Sequence, residues 1–135
     1  HNILVWKKNN CTPNRWYMKN CEFIVFLHKG KSFPIKNLGD AQLFECDNIN
    51  GKDKIHPTQK PIDLCRYAIR TYTNEGDTVL DCCCGSGSIP LAAMLEGRNY
   101  IGMDNGICEK KNSKYFGWSW ADVATDRIAN QKGRG

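Results

Sequence analysis

Two short strings of residues could do chemistry in this chain, and the first is a strand-like run that ends at Asp81. Three cysteines follow Asp81 and lead into Gly85 and Gly87, after which an apolar stretch of helical spacing begins. A strand, a glycine turn and a helix in this order bring bare backbone N–H groups to a ligand at a helix N-terminus. On its own, the pattern predicts a nucleotide-like cofactor without saying which one.

The glycine spacing argues against a dinucleotide. A dinucleotide fingerprint needs three glycines in the order G-x-G-x-x-G. The third position is occupied here by Pro90, so NAD fits the pattern poorly.

The second string is His-Pro-Thr-Gln-Lys-Pro, at residues 56–61, shortly before the glycine turn. Together the two strings resemble the DNA amino-methyltransferases, which methylate adenine N6 or cytosine N4 with S-adenosylmethionine. The similarity is to the circularly permuted subgroup and runs from about Ile3 to Ile128. It implies an α/β, Rossmann-like methyltransferase fold with a mixed, mostly parallel sheet flanked by helices, and DNA as the substrate. It also implies S-adenosylmethionine as the cofactor.

The resemblance assigns roles to individual residues. Asp104, at the end of the next strand, would accept hydrogen bonds from the ribose, and Asp81 would act near the methionine amino group. Either aspartate could instead be a turn or capping residue. Thr58 and Lys60 would contact the methionine end of the cofactor, whereas His56 either takes part or only shapes the turn. The predicted cofactor-binding residues are His56, Thr58, Lys60, Asp81, Cys83, Gly85, Ser86, Gly87, Asp104 and Asn105.

The chain departs from the family pattern in two places. Cys83 stands where the family carries an aromatic residue that packs on the cofactor, so we expect less contact area. The family's catalytic tetrapeptide needs two adjacent prolines, and all five prolines here are isolated. We therefore predict no catalytic residue and interpret the chain as the C-terminal portion of a longer enzyme, whose N-terminal portion would be its partner.

Three other functions stay open at this stage. The chain could be a non-catalytic homologue that keeps the cofactor fold as a binding or regulatory module. It could belong to a methyltransferase that acts on RNA or protein, or it could be a cysteine-rich zinc-binding module. The choice between adenine and cytosine, the target sequence and the oligomeric state are open as well.

The eight cysteines indicate reduced thiols rather than disulfides or a metal site. Three of them are consecutive, from Cys82 to Cys84, and neighbouring residues cannot easily form three separate bridges. The others stand singly, without a CxxC pair or a suitably spaced His. We predict no metal site and an intracellular protein.

The net charge of +5 comes from the first part of the chain. Residues 1–60 hold ten Lys or Arg against five Asp or Glu, while residues 61–135 hold nine of each. A basic cluster permits contact with DNA phosphates and is also common on solvated surfaces. We predict that Lys29, Lys31 and Lys36 bind DNA. Since no apolar run approaches the ~20 residues of a membrane span, we expect no membrane association. We also expect a cytoplasmic protein that is bacterial or phage-encoded.

Hydrophobic patterns predict the elements that position these residues. Ile3–Trp6 and Phe23–Leu27 are expected to be strands, paired antiparallel across the polar segment 7–20. The segment 29–55 is expected to be a long functional loop with at most one short element near Gln42–Cys46. We expect a single domain: residues 1–30 would end the catalytic half, 31–55 would form a short target-recognition loop and 56–135 would form the cofactor-binding half.

The second half of the chain predicts alternating helices and strands. Pro61 is expected to open a helix with Ile62, Cys65, Ala68 and Ile69 on its apolar face. A helix over Ser88–Glu96 should bury Ile89, Leu91, Ala92 and Leu95 and end at Gly97. A short, buried parallel strand is expected at Thr78–Leu80 and another strand at Tyr100–Met103, joined by a right-handed crossover. A last helix, Ser119–Gln131, should be capped by Ser119 and Asp122.

Overall fold

The computed structural model describes residues 2–31 and 34–132. The chain divides into two compact units, His1–Asn48 and Ile49–Gly135. The predicted single domain and its three-part division stay predictions. In chain order, the elements are β1 (Asn2–Thr12), β2 (Lys19–Phe26), β3 (Leu43–Glu45), α1 (Ile62–Tyr72), β4 (Thr78–Asp81), α2 (Ser88–Leu95), β5 (Asn99–Gly102) and α3 (Trp120–Lys132).

The first unit contains a three-stranded sheet in the order β2-β1-β3. The predicted antiparallel pairing of β1 with β2 is confirmed, and the short element expected near Gln42–Cys46 is β3, which runs parallel to β1. The prediction of a polar connection over residues 7–20 was wrong at both ends, since β1 continues to Thr12 and β2 begins at Lys19. Within this stretch the strands pair at Lys7 with Cys21 and, after a shift in register, at Thr12 with Lys19. Backbone pairing on both sides of the shift, rather than apolar side chains, accounts for the extended conformation.

The two faces of this sheet differ in burial. Trp6 is buried, and its indole N–H donates to the carbonyl oxygen of Cys46 at 2.9 Å. Alternate residues of a strand point to opposite faces, and the apolar residues Ile3, Phe23, Val25 and Leu43 are each at least half exposed. One face of the sheet therefore presents a row of apolar side chains to solvent.

The second unit is built on a strand–helix–strand arrangement. The predicted parallel pairing of β4 and β5 is confirmed, with Asp81 opposite Gly102. α1 and α2 pack together around Cys65, Ile69, Ala92 and Ala93, and the side chains of Val79 and Tyr100 pack against this core from the sheet. A second cluster, formed by Cys108, Tyr115, Trp120 and Val123, connects the loop after β5 to α3.

Two burial predictions for this unit were wrong. Leu80, predicted to lie in a buried strand, is 60% exposed, and Leu95, predicted to face inward, is 43% exposed. The helices cover only the sheet face that carries Val79, so the face that carries Leu80 and Ile101 stays open. Burial on both faces would need a further layer that the described residues do not supply.

The observed ends of the helices largely agree with those predicted from the sequence. Pro61 is the N-cap residue of α1, and Gly97 follows the end of α2 with a φ of +71°. At α3, the backbone N–H of Asp122 donates to the Ser119 hydroxyl at 3.1 Å, and that hydroxyl donates to the Asp122 carboxylate at 2.6 Å. The predicted capping pair is thus confirmed. No helix in residues 2–31 and 34–132 combines the length and the apolar character that a membrane crossing demands.

Candidate functional site

The glycine turn between β4 and α2 lies at the centre of the candidate site. Gly85 and Gly87 have φ values of +48° and +78°, a region that side chains with a Cβ rarely adopt. Gly87 is the N-cap residue of α2 and makes no side-chain cap. The start of α2 therefore has backbone N–H groups that no cap satisfies, a common setting for binding an anionic or polar ligand.

The carboxylate of Asp104 ties the end of β5 to this turn. One oxygen, Oδ2, accepts the N–H of Gly85 at 2.9 Å, and Oδ1 accepts the N–H of Gly106 at 2.8 Å. A carboxylate has about four acceptor positions, so Asp104 keeps capacity for donors from a ligand. The structure thus places Asp104 at the turn, as the sequence predicted, and also gives it a structural task.

Asp81 has a more local contact. Its Oδ1 accepts the N–H of Cys83 at 3.1 Å, which closes a short turn directly after β4. This is the turn role that the sequence left open for Asp81. Cys83 itself is exposed beside Cys82, and a hydrogen bond between the two thiols, followed by nearby negative charge, raises the pKa of Cys83. A thiol with a raised pKa stays protonated at neutral pH.

The His56 segment packs against the same turn. A Cβ placed on Gly85 would lie 3.1–3.3 Å from the His56 ring, so the glycine is needed for this close approach. The ring also meets Trp120 edge-on, with 4.4 Å between the ring centroids. Its Nδ1 accepts the N–H of Thr58 at 3.2 Å, and the Thr58 hydroxyl lies 3.1 Å away. His56 therefore shapes the turn of its own segment and also borders the glycine turn.

The surroundings of His56 favour its neutral imidazole form. Partial burial lowers its pKa below the ordinary value of 6.5, and the negative charge of Asp104 opposes this shift only in part. Because Nδ1 accepts a hydrogen bond from Thr58, the remaining proton belongs on Nε2.

Sequence reasoning missed Gln59, which holds the His56 segment in place. Its side chain is buried, and Oε1 accepts the N–H of Ile55 at 2.8 Å and that of His56 at 3.4 Å. Gln59 lies inside the string at residues 56–61, but the sequence does not show that its side chain is buried. Its position in the middle of a short motif could have suggested that its side chain binds the backbone of the same segment.

Sequence reasoning also missed the contribution of α3. A Cβ on Gly87 would lie only 2.5 Å from the Cβ of Ala124, and a Cβ on Gly106 would lie 2.9 Å from the Trp120 ring. The Arg127 guanidinium donates to the carbonyl oxygen of Ser86, and burial lowers its pKa. No local pattern in the sequence shows which face of α3 meets the glycine turn.

A cavity of about 670 Å³ opens beside these residues. Its wall includes His56, Trp120 and Ile107, and Ile107 follows Asp104 by three residues in the sequence. The Lys110 ammonium donates to the carbonyl oxygen of Lys54 at 2.6 Å, which joins two further segments of the wall. A cavity of this size, with apolar walls and a few polar groups, suits a nucleoside-sized molecule.

The remaining predicted residues, together with Ser88 at the start of α2, differ in their exposure to solvent. Ser86 and Ser88 are buried, and their hydroxyls have no hydrogen-bond partner among the described residues. Asn105 and Thr58 are exposed, while Lys60 is half-buried. Buried hydroxyls without partners cost free energy, so their presence at the turn suits a site that a polar ligand completes.

The predicted DNA-binding lysines belong to the first unit. Lys29, Lys31 and Lys36 are exposed, in the segment that follows β2. Their exposure allows contact with a large partner and equally suits a solvated surface.

All eight cysteines carry free thiols. Within the described part of the chain, no group of three His, Cys, Asp or Glu side chains is arranged to hold a metal ion.

A glycine turn after one parallel strand, with a carboxylate from the end of the next strand bound to it, defines an α/β protein of the nucleotide-cofactor type. Comparison with known proteins gives the family. The chain belongs to the DNA methylase family, whose sequence model matches residues 1–114.

Individual relatives agree with this assignment. The chain is 33% identical over 120 residues to the type II methyltransferase M2.MboI of Moraxella bovis, a match that covers 76% of this chain and 44% of the relative. It is 31% identical over 124 residues to M2.DpnII of Streptococcus pneumoniae, covering 76% and 45%. The chain therefore spans less than half the length of these relatives.

Solved structures confirm the predicted methyltransferase fold. The crystal structure of an M1.HpyAVI–SAM complex matches with a TM-score of 0.63 and 28% identity, over 95% of this chain and 61% of that one. The cytosine-N4-specific PvuII DNA methyltransferase matches with a TM-score of 0.66 and 20% identity, over 95% and 56%. The second likeness shows the fold alone.

Proposed function

We propose that the chain is the cofactor-binding portion of a bacterial or phage-encoded, cytoplasmic DNA methyltransferase. The cofactor is S-adenosylmethionine, and the acceptor is an exocyclic amine of DNA. The observation that carries this proposal is the Asp104 carboxylate, which is bound to the glycine turn and lies three residues before Ile107 in the cavity wall. The complex of M1.HpyAVI with SAM, whose fold matches 95% of this chain, supports the choice of cofactor.

The residues of this chain would divide the binding of that cofactor between them. Asp104 would accept the ribose hydroxyls, and the cavity beside His56 and Trp120 would take the apolar ring system. Asp81 and the turn from Gly85 to Gly87, with Ser86 between them, would lie near the methionine amino group. Thr58 and Lys60 would hold the other end of the methionine part, and Cys83 and Asn105 would also border the cofactor. The bound molecule would supply an electrophilic methyl group, and the chain would orient it and exclude water.

The acceptor is proposed to be adenine N6, with cytosine N4 as the alternative. Mass spectrometry of nucleosides from DNA methylated by a full-length enzyme that contains this segment would identify the modified base. Detection of N4-methylcytosine alone would overturn the choice of adenine.

We further propose that the chain acts together with another portion of a longer protein, in the circularly permuted order. The chain spans 44% of M2.MboI, and each unit presents an open, apolar sheet face, with Phe23 and Val25 exposed in the first and Leu80 and Ile101 in the second. An α/β sheet is normally covered on both faces. The absence of adjacent prolines in this chain also favours a second function, that of a non-catalytic homologue which only binds cofactor.

Methyl incorporation tests this division of labour. The 135-residue chain should bind S-adenosylmethionine in calorimetric titration and should not bind NAD. With labelled cofactor and DNA, it should transfer no methyl group above background, because its sequence lacks the family's Pro-Pro tetrapeptide, which would orient the acceptor amine. Such positioning can supply about 7–11 kcal/mol of barrier reduction. Transfer that survives repurification would mean that the catalytic residues lie within this sequence. Failure to bind the cofactor would overturn the proposal itself.

A further inference from the structure

The turn that joins β1 to β2 presents large aromatic side chains to solvent. The strands pair up to Thr12 and Lys19, and the residues between them form the tip of the hairpin. At this tip Trp16 is 79% exposed, Tyr17 is 92% exposed and Met18 is 61% exposed. We call residues Arg15–Met18 the hairpin tip. Two adjacent aromatic residues this far in solvent contribute nothing to a core, so their surface is available to a partner.

The surroundings of the hairpin tip are positively charged. Residues 1–21 contain Lys7, Lys8, Arg15 and Lys19 and no acidic residue. Lys7 and Lys8 are engaged in ion pairs with Glu45 and Glu22, further back along the strands. Arg15 lies at the tip itself, with its guanidinium carbon 5.5 Å from the centre of the Trp16 ring. The tip therefore combines aromatic faces with cationic groups.

This combination matches the chemistry of unpaired nucleic acid bases. Proteins that bind single strands place aromatic rings where bases can stack and cationic side chains where phosphates pass. An enzyme that modifies an exocyclic amine must take the target base out of the duplex, and the opposite base then loses its partner. A tip with stacking surfaces and positive charge is suited to such an unpaired base.

We propose that the hairpin tip is a DNA contact in which Trp16 or Tyr17 stacks on an unpaired base while Arg15 and Lys19 face the neighbouring phosphates. The inference rests on the proposed function, because it takes from it both DNA as the ligand and the base that is left unpaired when the target base is flipped out. It concerns a segment separate from Lys29, Lys31 and Lys36, and it assigns an aromatic contact that those lysines cannot make.

The experiment uses the whole 135-residue chain and labelled oligonucleotides at fixed, stated salt. Fluorescence anisotropy gives the affinity for a single strand, for a paired duplex and for the same duplex with one unpaired central base. The native chain should prefer the single strand and the interrupted duplex over the paired one. The double variant Trp16→Ala/Tyr17→Ala should bind the single strand roughly 5- to 150-fold more weakly for each base that no longer stacks.

Two further variants separate stacking from charge. Arg15→Gln should flatten the log–log salt dependence of single-strand binding by about 0.7, the value for one phosphate that the protein no longer neutralises. Phe116→Ala removes an aromatic side chain that is 55% exposed in the other unit and should leave the affinity unchanged. Circular dichroism verifies that all variants are folded, which is expected because the replaced side chains are exposed.

Several results would overturn the inference. The double variant alters only the tip, so an affinity equal to that of the native chain excludes the tip as a contact. Equal binding of the paired and interrupted duplexes excludes stacking on an unpaired base. Absence of all DNA binding, with cofactor binding intact by calorimetry, rejects this inference and leaves the proposed cofactor function standing. Loss of self-association in the double variant, with unchanged DNA affinity, would assign the tip to a protein partner instead.

Discussion

The glycine turn of the second unit and the hairpin of the first unit differ in the burial of their residues. The residues from Cys84 to Ser88 are all buried, and they are held by Asp104 and by Ala124 and Arg127 of α3. In the hairpin, every residue from 9 to 20 is exposed. The turn is therefore built to hold one geometry, which binding of a small cofactor requires, whereas the hairpin offers surface to a larger partner.

The largest expected effect of a single substitution is at Gly87. Gly87→Ala forces an alanine to a φ of +78° and brings its Cβ to 2.5 Å from Ala124. The left-handed conformation costs about 1–2 kcal/mol, and overpacking against α3 adds about 1–3 kcal/mol. Chemical denaturation should show both costs as a loss of unfolding free energy.

Gly76→Ala is the matched control for that experiment. Gly76 has a similar φ, +82°, with nothing within 4 Å of an added Cβ. It should therefore show the conformational cost alone, about 1–2 kcal/mol. If Gly76→Ala and Gly87→Ala destabilise the chain equally, then α3 does not pack against the glycine turn as described.

The far end of α2 provides a smaller and pH-dependent effect. Glu96 pairs with Arg66 and with Arg70, the latter at 2.7 Å, and its hydrogen bonds to them, chiefly to Arg70, lower its pKa from 4.5 to about 2. Glu96→Gln should cost about 0.5–1 kcal/mol at neutral pH, since solvent screens the pair.

The sign of the pH dependence follows from that lowered pKa. The pair's contribution is fully present above pH 4.5, the value in the unfolded chain, and it disappears as the pH falls through about 2. The stability difference between the native chain and Glu96→Gln should thus shrink over this range in denaturation curves. A difference that stays constant from pH 6 to pH 2 would show that Glu96 does not act through its charge.

His56 gives a direct measure of how far the turn is shielded from water. Burial lowers its pKa below 6.5, so the unfolded chain takes up the proton first as the pH falls, and the folded state loses stability below about pH 6.5. An NMR titration of the imidazole signals should place the pKa of His56 below this ordinary value. Asp104→Asn should lower it further, because the negative charge of Asp104 raises it. An upward shift in that variant would contradict the described geometry.

The smallest effect is expected in the first unit, at the lysines that follow the hairpin. Lys29→Gln, Lys31→Gln and Lys36→Gln together should flatten the log–log salt dependence of duplex binding, by up to about 0.9 for each phosphate that the protein no longer neutralises. Lys111→Gln, at an exposed position of the second unit, should leave the slope unchanged. An unchanged slope in the triple variant would mean that those lysines only solvate the surface.

The parts of the molecule that the sequence could predict are those with local causes. Hydrophobic spacing predicted α1 and α2, Ser119 and Asp122 predicted the start of α3, and the strand ending in Asp81 predicted the glycine turn. The string at residues 56–61 predicted a segment close to that turn, and the contact of His56 with Gly85 places it there.

The parts that could not be predicted depend on contacts between distant segments. Whether Leu80 is buried depends on how many layers cover the sheet, which its own apolar character does not reveal. The positions of Trp120 and Arg127 against the turn depend on the direction from which α3 approaches. The continuation of β1 from Lys8 to Thr12 depends on a contact with β2 that resumes at Thr12 and Lys19 after a shift in register, and the residues themselves do not reveal that contact.

Calorimetric titration of S-adenosylmethionine into the native chain and into Asp104→Ala tests the proposed cofactor site most directly. Removing a charged acceptor should weaken binding by about 1.5–3 kcal/mol, or roughly 10- to 150-fold. Asp63→Ala, at an exposed position in the first turn of α1, should bind like the native chain. The amide NMR signals of Gly85 and Gly106 in the free variant show whether the turn itself has moved. Equal affinities of the native chain and Asp104→Ala would remove Asp104 from the site and contradict its proposed role in holding the cofactor.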